Sequence, residues 1–322
     1  IDIIGLLSTV IILFYFGYGQ ITKSYPVTVG GLYIIIDYTS KIFSNVSVIV
    51  TRFGDMEQAY ASASHIFDIM KLDTIEKSDG VIEDLKGDIE FKNVYFAYDK
   101  NDVLKDISFK IPKSTSAAFV GTTGSGKSTI LNLILKFYAV KSGEILIDGV
   151  YINNLNEDIM RENFAVVLQD PFLFETTLKE NITLDKDYSD EEVIHALEGL
   201  GCYTLLKKGL NEPIKEKCSN LSQGERQLIS FARAYIRNPR ILILDEATSN
   251  IDTETEQIIQ QPLEKLKYSR TTLIVAHRLS TIRNVDKIFA LSNGKIIESG
   301  THDELLLKDG FYKQMYDVQS SI

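Results

Sequence analysis

Two long apolar stretches open the chain. From Ile3 to Gly19 there is no charged residue, a run at the short end of the ~17–25 residues that a helix needs to cross a bilayer. A polar break, Gln20 to Pro26, carries Lys23 and a proline suited to a loop, and a second apolar stretch follows from Val27 to Val50. Two such runs joined by a tight loop predict a helical hairpin in a bilayer better than a helix pair in a soluble core. From Thr51 to Met70 the helical pattern continues but turns polar, with small residues at Ala59, Ala61, Ser62, Ala63 and Ser64. The same helix is therefore expected to run out of the membrane into water. Residues 71–86, rich in Asp, Glu and Lys, read as a linker.

At Gly87 the pattern changes to strands. Asp88 to Phe91, Val94 to Tyr98, and Val103 to Phe109 alternate or cluster apolar residues between short polar turns. An apolar strand, Ser116 to Val120, leads directly into a glycine-rich loop, and an apolar helix is expected from Ile130 to Tyr138. The four aliphatic residues Ile241 to Leu244 predict a buried parallel strand, as do Thr272 to Val275. Between those two strands a helical run, Glu254 to Leu266, contains Pro262, which should kink or interrupt it.

Composition narrows the classes. A chain of 322 residues predicts two units, and a net charge of −10 argues against a nucleic-acid partner, whose footprint is usually basic. Cys202 and Cys218 fit neither metal-ligand spacing nor a disulfide framework, and read as reduced thiols of a cytosolic domain. The chain begins without Met in an apolar run, with no basic n-region and no small-residue cleavage site. A piece of a longer protein is expected, not a signal peptide. Asp37 and Lys41 lie four apart on one helix face with Ser44 and Asn45. They form either an ion pair inside a helix bundle or, for Asp37, the lining of a cavity that attracts cations.

Gly121-Thr122-Thr123-Gly124-Ser125-Gly126-Lys127-Ser128-Thr129 fits GxxxxGK followed by Ser or Thr, in the strand-loop-helix setting it requires. Glycines let backbone N–H groups converge on phosphate oxygens, and the helix N-terminus favours anions. Lys127 can reach the β- and γ-phosphates, and the Ser128 hydroxyl can meet Mg²⁺. The second half of the site is expected at the end of the Ile241–Leu244 strand. Asp245 there suits Mg²⁺ through water, and Glu246 suits a general base or water-orienting group.

Between these halves stands Asn220-Leu221-Ser222-Gln223-Gly224-Glu225-Arg226-Gln227. It resembles the Leu-Ser-Gly-Gly-Gln signature of ATP-binding cassette (ABC) exporters, and the order of phosphate loop, signature, aliphatic strand and downstream histidine matches as well. The resemblance extends over essentially the whole chain. It implies an α/β P-loop NTPase domain with an antiparallel β subdomain and a helical signature subdomain, preceded by an all-α transmembrane hairpin. The implied layout is the end of a membrane domain at 1–70, a linker at 71–86 and a nucleotide-binding domain at 87–322. It further implies that Tyr98 stacks on adenine, that Gln169 touches Mg²⁺ and senses the membrane domain, and that Ser222 and Gly224 contact the γ-phosphate of ATP on the opposite subunit. Asp252 would lie in the inter-subunit loop, and His277 would be the switch histidine near the γ-phosphate.

The activity implied is ATP hydrolysis coupled to export of a hydrophobic or amphipathic drug, lipid or peptide across the plasma membrane, with the ATPase domain in the cytoplasm. The alternative is a regulatory or degenerate half-transporter subunit with little turnover. Soluble cassette ATPases acting on DNA or ribosomes share the signature but lack the hairpin. The partner implied is a second half-transporter, and the phrase Gln227 to Ala234 with the Ser249-Asn250-Ile251-Asp252 loop looks most like one subunit of a bacterial heterodimer, favoured over a homodimer. Departures from the pattern are Glu225, where the signature has glutamine, and residues 212–218, which keep only a glutamate of Thr-x-x-Gly-Glu-x-Gly.

Overall fold

The computed structural model describes residues 2–22, 28–71, 84–184, 186–245, 253–276 and 282–320. It divides into two compact units, Ile1–Glu76 and Lys77–Ile322.

The first unit is a helical hairpin of α1 (Asp2–Ile21) and α2 (Val29–Met70). Thr28 caps α2 by accepting the Gly31 N–H at 3.2 Å. Gly5 of α1 lies so close to Phe43 of α2 that a Cβ there would sit 3.3 Å from the ring. A contact between the early part of α1 and the middle of α2 makes the two helices antiparallel. The hydroxyls of Ser8, Thr9 and Thr39 each donate to the carbonyl four residues earlier, so these polar groups are satisfied without water. Both helices are long and apolar enough to cross a membrane, and α2 continues unbroken past residue 50 as the pattern predicts. Asp37 and Lys41 form an ion pair at 2.7 Å, with the ammonium 5.7 Å from the Tyr38 ring centre.

The second unit is built on two sheets. An antiparallel sheet has the order β2-β1-β4-β5, from β1 (Ile89–Phe96), β2 (Leu104–Ile111), β4 (Ser142–Ile147) and β5 (Val150–Tyr151). A six-stranded sheet has the order β10-β9-β3-β8-β7-β6, from β3 (Ser116–Gly121), β6 (Phe164–Val167), β7 (Ile241–Asp245), β8 (Thr271–Val275), β9 (Lys287–Ser292) and β10 (Lys295–Gly300). In it β9, β3, β8, β7 and β6 run parallel, and β10 returns antiparallel.

The central strands β3, β7 and β8 are buried on both faces, which is why they read as apolar runs. Ala117, Phe119, Ile241, Ile243, Leu273 and Phe289 point to a core shared with the antiparallel sheet and α3 (Lys127–Ile134). Their sequence neighbours Ala118, Val120, Leu242, Leu244, Ile274 and Ala290 point to a second core. Helices packed there include α5 (Leu178–Thr183), α6 (Asp190–Leu200), α7 (Tyr203–Lys208), α8 (Gln223–Ile236) and α9 (Thr253–Lys267). Phe109 links the sheets, with its ring 4.4 Å from Phe91, 5.3 Å from Phe119 and 5.1 Å from Phe289. The short α4 (Glu157–Asn163) precedes β6, and α10 (His302–Leu307) and α11 (Phe311–Ser320) close the chain.

Two expectations are adjusted. The helix after the glycine-rich loop starts at Lys127 and ends at Ile134, because Gly126 at φ 104 already supplies its N-cap and Lys136 turns the chain at φ 58. Pro262 does not interrupt α9. Ile259, Leu263 and Leu266 are buried around it, and their packing holds the helix across the missing N–H. At the end of the expected linker, Leu85 is buried in the core, and the N–H groups of Lys86, Gly87 and Asp88 converge on the Asp148 carboxylate at 2.7–3.1 Å.

Candidate active site

The glycine-rich loop leaves β3 at Gly121, whose φ of 152 is joined by very tight packing. A Cβ there would lie 2.3 Å from the Leu291 carbonyl oxygen and 2.7 Å from Ser125 Oγ. Gly124, at φ 79, has open space where a side chain would project. Ser125 N–H closes the turn on the Thr122 carbonyl at 3.1 Å. The Lys127 ammonium folds beneath the loop, donating to the carbonyls of Gly121 at 2.8 Å and Thr122 at 3.1 Å, and the residue is 5 % exposed. Thr122, Thr123, Gly124 and Ser128 are exposed on the outer side, while Thr129 is buried.

Two features of this loop call for an outside acceptor. Ser125 is 2 % exposed and its hydroxyl has no hydrogen-bond partner, which is costly unless a ligand supplies one. The Gly126 cap offers α3 no side-chain bond, so the first-turn N–H groups face outward at the positive end of the helix. A phosphate group meets both demands.

Tyr98 stands beside this loop. Its hydroxyl donates to Thr129 Oγ1 at 3.4 Å and accepts from Asn132 Nδ2 at 3.3 Å, so residues of the loop and α3 orient it. Phe96 and Tyr138 meet its ring edge-on at 4.8 and 5.0 Å, and nearly half of its surface stays exposed. An aromatic held this way presents a flat face to a planar ligand.

The parallel strands bring the other groups to one edge. Lys127 and Ser128 follow the C-terminal end of β3, Asp245 ends β7, and Gln169 comes two residues after β6. Ligands of open α/β sheets bind at this edge. Gln227, buried in α8, donates to the Leu168 carbonyl at 3.3 Å, just before Gln169. Glu246, Asp252 and His277 lie outside the described residues.

Ser222 is the N-cap of α8, and with Glu225 it forms a reciprocal capping box. Ser222 Oγ accepts the Glu225 N–H at 3.1 Å, and the Glu225 carboxylate accepts the Ser222 N–H at 2.8 Å. The other carboxylate oxygen pairs with Lys208 Nζ at 2.9 Å. Glu225 is thus turned back on its own helix, and Gly224 is buried behind it.

Sequence reading missed the group that holds the loop after Gln169. Asn181, fully buried, bonds the Phe174 N–H and carbonyl and the Thr177 carbonyl at 2.8–3.0 Å. Arg233 of α8 donates to the Phe172 carbonyl at 2.6 Å, to Asn181 Oδ1 at 2.9 Å and to the Asn181 carbonyl. Burial, with Arg237 nearby, pushes the Arg233 guanidinium down to about 10. Lys208 was also missed; it stands 17 positions before Glu225 on a different helix, and no local pattern marks it.

The model of the ABC transporter family matches residues 104–249. The chain is 45% identical over 325 residues to the "Probable multidrug resistance ABC transporter ATP-binding/permease protein YheH" of Bacillus subtilis, covering 99% of this chain and 48% of that protein. It is 44% identical over 278 residues to an ATP-dependent lipid A-core flippase of Haemophilus influenzae, covering 83% of this chain and 47% of the relative. It therefore spans about half the length of these curated relatives. A solved structure of a bacterial Atm1-family ABC exporter with ATP bound superposes with a TM-score of 0.72 at 33% identity, over 91% of this chain and 53% of that one. With the phosphate loop, the aliphatic strand β7 and the signature helix α8 all inside the matched region, residues 104–249 carry the ATP-binding domain of the ABC transporter family.

Proposed function

We propose that this chain is the C-terminal part of an ATP-driven exporter of hydrophobic or amphipathic compounds. Residues 1–70 would end its membrane domain, 71–86 would link, and 87–322 would form the cytoplasmic nucleotide-binding domain. The observation that carries the reading is the buried Ser125 hydroxyl without a partner, set in a loop with the Lys127 ammonium beneath it. It supports a bound triphosphate, with Tyr98 against the base. The apolar hairpin supports a place in the bilayer, and relatives named for multidrug resistance and for a lipid flippase support an amphipathic substrate.

Among the described residues no cluster of three or more His, Cys, Asp or Glu could hold a metal. Mg²⁺ is commonly held by one or two carboxylates together with phosphate oxygens and water. Asp245, Ser128 and Gln169 are the oxygen donors that would hold it, and when bound it would neutralise phosphate charge. Glu246 would orient the attacking water, and His277 would meet the γ-phosphate. Two nucleotide-binding domains would sandwich ATP head to tail, with Ser222 and Gly224 of each closing the site of the other. Asp252 would lie between the subunits. ATP binding would then close the pair and hydrolysis release it, moving the membrane helices as rigid bodies. The partner is a second half-transporter, a heterodimer in our reading.

The test is ATP turnover by the full-length parent in lipid, alone and co-assembled with the half-transporter encoded beside it. Turnover only on co-assembly is expected, with its loss in Glu246→Gln. A Glu246→Gln transporter that hydrolyses ATP like the parent overturns the role of this site.

A further inference from the structure

We propose that Lys208 is a positioning residue of the signature helix. It neutralises the charge that Glu225 introduces beside Ser222, so that the face meeting the opposite nucleotide carries no net negative charge. This rests on the reading of Ser222 as a group that contacts ATP bound to the partner subunit.

The signature pattern has an uncharged glutamine where this chain has Glu225. A lone carboxylate there would oppose the approach of a triphosphate. The structure shows how it is countered. Lys208, the last residue of α7, reaches Glu225 at 2.9 Å and also donates to the Asn220 carbonyl at 3.1 Å, two residues before Ser222. Asn220 in turn accepts the Lys215 N–H at 3.0 Å and donates to the Pro213 carbonyl at 2.9 Å, tying the altered 212–218 segment to the signature. The side chains of Lys208 and Glu225 are 30 % and 18 % exposed, so the pair is screened less than one on an open surface. The second carboxylate oxygen remains committed to the Ser222 N–H. Lysine and glutamate together therefore reproduce the neutral cap that a glutamine would give.

The experiment measures the ATP concentration for half-maximal turnover in the full-length, lipid-embedded transporter. It compares the parent, Lys208→Met and Lys208→Gln, each also in a Glu225→Gln background. Lys208→Gln keeps a donor for the Asn220 carbonyl but carries no charge, and it separates charge from backbone support if the methionine variant fails to fold. Both substitutions should raise the half-maximal concentration about three- to tenfold, with a defect that shrinks as salt is raised. In the Glu225→Gln background the change should stay below about twofold, because no carboxylate is then unmasked. Equal defects in both backgrounds, or none in either, overturn the proposal while leaving the nucleotide reading intact. A parent without ATP turnover overturns that reading, and this proposal with it.

Discussion

Cys218 and the residue before it, Lys217, have φ of 57 and 53, left-handed values that side chains with a Cβ adopt at a cost. The exporter pattern has glycine at the position of Cys218. Cys218 thus holds a conformation that glycine adopts freely, and part of the folding free energy is spent on it. Cys218→Gly is expected to raise the unfolding midpoint, through a gain of about 0.5–1 kcal/mol in stability after allowing for the greater freedom of glycine in the unfolded chain. Urea titration of the two proteins checks it; an unchanged or lower midpoint would mean that the surrounding segment relaxes the strain. The sequence exposed this position as a departure but not as a strained one, since φ depends on the fold around it. The glycine-rich loop was legible because its chemistry is written in nine consecutive residues.

At the scale of elements, the loop between β6 and α5 depends on a latch that no short window of sequence contains. Arg233 reaches partners 52 and 61 positions away, and nothing in the apolar spacing of α8 distinguishes it from an ordinary surface arginine. Its three bonds fix the backbone directly after Gln169. Arg233→Leu leaves the carbonyls of Phe172 and Asn181 with fewer donors, and should destabilise by about 2–4 kcal/mol. Hydrogen exchange should speed up first in residues 172–181, before the rest of the unit. Uniform acceleration across the unit would assign Arg233 to general packing instead. Strands were read well at this scale, because alternation and aliphatic runs are local. The continuity of α9 through Pro262 was not, because burial of Ile259, Leu263 and Leu266 outweighs local propensity.

For the molecule as a whole, the helical core on one face of the six-stranded sheet also sets an alkaline limit. Burial pushes the Cys202 thiol from its ordinary 9.0 up to about 12, and burial with Tyr316 beside it pushes the Tyr312 hydroxyl from 10.0 up to about 12. The folded chain keeps these protons where the unfolded chain releases them. Their stabilisation is complete below pH 9 and declines as the pH rises towards 12. Arg233 acts in the opposite sense only above about pH 10, where the folded state sheds a proton that the unfolded chain still holds. Between pH 9 and 10 the slope therefore belongs mainly to Cys202 and should approach ~1.4 kcal/mol per pH unit. Unfolding midpoints of the chain and of Cys202→Ala across that window test it, and equal slopes would remove Cys202 as the cause. The apolar hairpin that forms most of the first unit stood out from hydropathy alone. The two-faced burial of the central strands was visible only as uninterrupted apolar runs, which do not say what covers each face.

One consequence follows from α2 being a single helix of 42 residues. At 1.5 Å per residue it is a rod of roughly 63 Å, about twice the thickness of a bilayer's hydrocarbon core. It has no proline, and its one glycine beyond the first turn is Gly54, so it has little means of bending. Pivoted at one end, such a rod behaves as a lever: a tilt of about ten degrees sweeps the other end through roughly 11 Å.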